Sequence, residues 1–62
     1  MCLSIAYEVT ETGRKKLAEF VSSVEEEGGK ITLRDVMGLE TVVEGRIRKL
    51  DLVNNEILLV KA

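Results

Sequence analysis

The sequence predicts a small all-β domain, and three observations lead to it. Short segments in which apolar and polar residues alternate recur along the 62 residues, turn signals carrying glycine or asparagine separate them, and no linker, low-complexity tract or repeat interrupts the series. Five or six short strands in a chain of this length imply a small barrel or curled sheet, a single domain over residues 1–62.

The first segment runs from Cys2 to Val9. Leu3, Ile5, Tyr7 and Val9 share one face, while Cys2, Ser4, Ala6 and Glu8 share the other. This is the pattern of a half-buried strand with the thiol on its more polar side. Residues 10–13, TETG, are turn chemistry, with Gly13 free to take positive φ. The following stretch, KKLAEFVSSVEEEGG, is ambiguous. Leu17, Phe20, Val21 and Val24 fall at helical spacing and Gly28 could stop a helix, so the pattern alone admits a short amphipathic helix over residues 15–27 and an α+β class. Glu27-Gly28-Gly29 reads as a hairpin turn before KITLR, in which Ile31 and Leu33 share a face. After a turn near Met37-Gly38, the run ETVVEGRIRKLDL alternates through Val43, Gly45 and Ile47, with Gly45 marking a bulge or bend. Asn54-Asn55 leads into the last strand, EILLVK. Tyr7 and Phe20, the only aromatics, occupy positions where core residues are expected, and Met37 is expected to fill a gap in the core.

Composition narrows the function. Nine basic and eleven acidic residues give a net charge of -2 and a pI near 5.1, so there is no general electrostatic pull toward nucleic acid. A chain this short buries only about 60% of the surface its unfolded form exposes, so a lone monomer is marginal. One cysteine cannot close an internal disulfide, and one cysteine with no histidine cannot build a four-ligand zinc site. A homodimer is the remaining remedy. The longest purely apolar run, Ile57–Val60, is too short to span a bilayer, and MCLSIAY lacks the basic start and long apolar stretch of a secretory signal. The chain therefore reads as cytoplasmic, with Cys2 reduced unless something binds it. No enzyme is expected: there is no histidine and no nucleophile elbow, and GGK at residues 28–30 is too short to cradle a phosphate.

The opening Met1-Cys2, Gly13-Arg14 after the first strand, Glu27-Gly28-Gly29, and the closing EGRIRKLDLVNNEILL together resemble the CooT family of small proteins associated with nickel insertion into carbon monoxide dehydrogenase. The likeness spans nearly the whole chain and rests on the order and spacing of these pieces. It implies an SH3-like β-barrel, a homodimer, and Ni(II) held by the cysteine that follows the initiator methionine. It also places short strands across residues 15–27, with a turn between Leu17 and Val21, and so favours the all-β reading over the helix. The run Ser22-Ser23 and Glu25-Glu26-Glu27 departs from the more apolar pattern of relatives.

The chemistry of Met1-Cys2 suits that implication. A free α-amino group, the Cys2 backbone nitrogen and the Cys2 thiolate are spaced to form fused five-membered chelate rings around one ion. If Met1 were removed, the new Cys2 amine and its thiolate would still chelate. Strong nitrogen and sulfur donors in a plane suit Ni(II) or Cu(II), and two copies together supply two thiolates. The thiol must lose its proton to bind, so affinity should rise with pH. An RNA-binding β-barrel is the alternative from another class. Its support is the basic stretch Arg14, Lys15 and Lys16, and then Arg46, Arg48 and Lys49, with Arg46 and Arg48 expected on one strand face. Without exposed aromatics beside them, these charges read as a solvated face.

Overall fold

In the computed structural model, which describes residues 3–62, five strands close into a barrel in the order β1-β2-β3-β4-β5. They are β1 (Ser4–Thr10), β2 (Gly13–Glu27), β3 (Lys30–Asp35), β4 (Glu40–Asp51) and β5 (Glu56–Lys61). Successive strands pair antiparallel, and the ring closes by parallel pairing of β1 with β5. The all-β expectation holds, and the helical alternative over residues 15–27 does not: that stretch lies wholly within β2.

The reason lies in how β2 changes partner. Its first half pairs with β1 and its second half with β3. One irregularity falls between the Ala6–Ala18 and Tyr7–Lys16 pairs and sets Leu17 out of alternation. A second falls between the Ser4–Val21 and Ala6–Ala18 pairs, where Phe20 has a φ of 54° and turns the strand, and a third lies between Val21 and Ser23 on the β3 side. These three offsets in a two-residue period leave Leu17, Val21 and Val24 facing inward at an apparently helical spacing. The turn expected between Leu17 and Val21 is thus a kink at one residue inside a continuous strand.

The turns follow their local chemistry more closely. Gly28 and Gly29, with φ of 57° and 82°, form a two-residue hairpin loop between the paired Glu27 and Lys30. Positive φ at both positions is what the favoured tight hairpin turn requires. Gly45 sits where β4 passes from β3 to β5, and a Cβ there would collide with the Val60 carbonyl oxygen. The bend expected at Gly45 is therefore a close backbone approach that only glycine permits.

The interior is filled by Ala6, Val21, Ile31, Leu33, Ile57 and Leu59, with Leu17, Ala18, Val24, Val43 and Ile47 packed against them. No polar or charged side chain is buried among the described residues. Parallel register places Ala6 beside Ile57 and Tyr7 beside Leu58. Hence Ala6 points inward, and the more apolar face of β1 points out. The aromatics are not in the core. Tyr7 is half-buried on the outer face and Phe20 is 57% exposed. Met37, at the tip of the β3–β4 turn, is 83% exposed, which corrects its expected core position.

Candidate functional site

Cys2 and Met1, the expected metal ligands, lie outside the described residues, so the structure describes only the ground on which they stand. Leu3 and Ser4 bring the chain to one end of the barrel. There Ser4 pairs with Val21 of β2, and the Ile5 amide donates to the Asn55 carbonyl at 3.0 Å. A shallow cleft of about 190 Å³ opens at this end between Ser4, Val21, Val24, Leu50, Leu52 and Ile57.

Two turns flank this end, and each is held by an aspartate. Asp35 Oδ1 accepts hydrogen bonds from the Met37 and Leu39 amides at 2.8 and 3.0 Å. The Val36 amide donates to the Phe20 carbonyl at 3.1 Å, fastening the β3–β4 turn to the kink in β2. Asp51 Oδ1 accepts from the Val53 and Asn54 amides at 3.1 and 3.0 Å, and its Oδ2 accepts from Asn54 Nδ2 at 2.9 Å. Bonds from the Asn54 backbone and side chain hold the Asp51 carboxyl below the usual aspartate value. The side chains these rigid turns present are apolar. Leu52 is 80% exposed and Val53 90% exposed, and Phe20, Val36, Met37 and Leu39 are all more than half exposed. Such an apolar rim is unusual on a small monomer.

Among the described residues no group of three or more His, Cys, Asp or Glu side chains is placed to hold a metal. A larger cleft of about 470 Å³ lies toward the opposite end, beside Glu8, Lys15, Glu44 and Lys61. It carries mixed charge and no sulfur or imidazole donor, so its size does not make it the metal site.

The basic residues come together more than their separation in sequence implied. Register aligns Lys49 with Leu58, Leu58 with Tyr7, and Tyr7 with Lys16 across the outer face of β4, β5, β1 and β2. Arg46 pairs with Val60 on the same face. The bulge between Ile47 and Lys49 makes Arg48 the extra residue, so Arg46 shares its face with Lys49 and not, as expected, with Arg48. Lys15 pairs with Glu8 and lies beside the larger cleft. Arg14 stacks over the Tyr7 ring, 5.4 Å from its centroid, and pairs with Glu56 at 3.1 Å. Lys16 pairs with Glu19 at 2.7 Å, which raises its pKa above the ordinary lysine value. Sequence reasoning missed the apolar rim, although DVMGLE and DLVNNE both carry its signal: an aspartate before a turn that contains apolar residues.

The model of the family described as CO dehydrogenase accessory protein CooT matches residues 1–60. The chain belongs to the CooT family. No curated protein matches it by sequence. Its fold is similar to that of a crystal structure described as a candidate CooT from Carboxydothermus hydrogenoformans, with a TM-score of 0.90 at 24% identity over 98% of each chain. CooT membership brings with it the description of an accessory protein to an enzyme, in keeping with the expectation that the chain is not itself an enzyme. No helix among the described residues is long and apolar enough to cross a membrane.

Proposed function

We propose that this CooT protein is a cytoplasmic Ni(II) donor for the maturation of carbon monoxide dehydrogenase, and that it binds the ion through Cys2 and the amino-terminal nitrogens at a homodimer. The observation that carries the reading is a coincidence of position. The chain's only thiol precedes Leu3, and Leu3 leads into the barrel end where the exposed apolar side chains are concentrated. A standard interface buries roughly 800 Å² per partner. Phe20, Val36, Met37, Leu39, Leu52 and Val53, each more than half exposed, present an area of that order. A second copy seated on this rim would cover it and bring two Cys2 thiolates to one place.

Nickel here is cargo. A donor set at a chain end stays accessible to a receiving protein, whereas a closed structural site would retain the ion. The ligands alone do not select nickel over copper, because intrinsic affinity favours Cu(II). Selection then falls to metal supply and to recognition of the partner enzyme. Native mass spectrometry of the reduced chain loaded with Ni(II) tests the shared site. One ion per two chains is expected, with release of both the metal and the dimer on acidification as the thiolates take up protons. Two ions per dimer would remove the shared-site geometry, and a chain that binds no Ni(II) would remove the reading.

A further inference from the structure

The face that joins the two basic clusters is separate from the apolar rim. Across it runs a half-buried apolar stripe of Ile5, Tyr7, Val9 and Val60, with Leu58 nearly buried at its centre although Leu58 lies outside the barrel core. Arg46 and Lys49 border the stripe on β4, with Arg48 beside them in the bulge. All three are exposed and, like Lys15, Lys30 and Lys61, none forms an ion pair among the described residues, whereas Arg14, Lys16 and Arg34 each do; only at residues 46–49 are three such cations clustered. On the outer side of β2, β3 and β4 carboxylates are in excess: register places Glu25, Glu27, Glu40 and Glu44 there with Lys30 and Arg34. A chain of net charge -2 thus keeps three uncommitted cations in one short stretch beside an apolar strip.

We infer that this strip, bordered by Arg46, Arg48 and Lys49, is the docking face for an acidic protein surface, namely that of the CO dehydrogenase the chain serves. The inference takes its partner from the family and does not depend on the proposed nickel ligands. Charge complementarity selects the occupant. A second copy related by a two-fold axis would set these cations against themselves, which is costly at an interface. A nucleic acid fits less well, because the one aromatic on the face is covered by Arg14, and Glu56 and Asp51 stand on the same side. Apolar area flanked by cations matches a protein patch with acidic edges, and the cations would speed encounter as well as fix orientation.

The test measures binding of the full chain to the apo form of the CO dehydrogenase from the same organism, at low and at high salt, for the unaltered protein and for an Arg46→Glu/Lys49→Glu variant. The expected result is affinity that falls with salt, and a Kd raised about tenfold or more in the variant. Far-UV circular dichroism and Ni(II) uptake by the variant should match the unaltered chain, which separates loss of docking from loss of fold or of metal binding. A milder Arg46→Gln/Lys49→Gln pair, expected to show a smaller loss in the same direction, serves if charge reversal unfolds the barrel. Equal affinity in all variants, or no binding by the unaltered chain, overturns the inference. Binding of polyuridine RNA that the variant abolishes, without binding to the enzyme, overturns it in favour of nucleic acid. Open-ended self-association in sedimentation that the variant removes overturns it in favour of further copies of the chain.

Discussion

At the scale of single residues, two aspartates and one phenylalanine carry most of the local argument. Asp51 organises the β4–β5 turn by accepting two amides and the Asn54 side chain. Its folded pKa lies below the ordinary value of 3.8, so its contribution is complete above that value and is lost as the pH falls through the folded pKa. An Asp51→Ala variant should therefore melt at a lower temperature than the unaltered chain near neutrality, and the gap should close in strong acid, as read by circular dichroism. A gap that persists in acid would locate the loss elsewhere. Phe20 adopts a left-handed conformation that bulky side chains rarely take, and it is also more than half exposed. Strain at an exposed aromatic is best understood as the means of presenting it. Phe20→Gly should relieve about 1 kcal/mol of strain, so the fold should hold or gain stability, while the proposed dimer, if the rim forms it, should weaken. Unchanged association would take Phe20 out of the proposed interface.

At the scale of strands and turns, the sequence was readable wherever the determinant was local. Gly28-Gly29 specified a tight hairpin because both positions need positive φ, and Gly45 marked the bend because no side chain fits against the Val60 carbonyl. These two sites should respond differently. Gly29→Ala should cost about 1–2 kcal/mol through backbone strain, and Gly45→Ala about 3 kcal/mol, because neither β4 nor β5 can withdraw without breaking their ladder. Denaturant melts should rank them in that order. The orientation of β1 and the nature of β2 were not readable, because both depend on distant partners. Alternation in β1 favoured Tyr7 over Ala6 as the inward residue. Parallel closure with β5 reversed this, since Ala6 is the residue in register with Ile57. In β2 the bulges shifted Leu17, Val21 and Val24 onto a helix-like spacing. The same kind of offset on β4 took Arg48 off the face that Arg46 occupies. The tip of the β3–β4 turn departs from its pattern for a related reason. Met37 is apolar, which favours the core, but Asp35 fixes its turn outside it.

At the scale of the whole molecule, a thin core meets an apolar exterior. Among the described residues seven hydrophobic residues are buried, and only Ile31, Leu33 and Leu59 are large side chains wholly removed from solvent. Leu59→Ala should cost about 2–5 kcal/mol, enough to unfold most of a domain this small. If the rim is covered by a second copy, the melting temperature should rise with protein concentration, and Met37→Ser/Leu52→Ser should abolish that dependence. The excess of cations on one outer face and of carboxylates on the other fits the two proposals together: a like copy on the rim and a different partner on the basic face. The proposed role rests finally on the thiol at position 2. Ni(II) titrated into reduced protein, followed by thiolate-to-metal absorption, should saturate in the unaltered chain and strengthen with rising pH, while Cys2→Ser shows no such band and little uptake. Equal Ni(II) binding by the two proteins would contradict the assignment of Cys2 as the ligand.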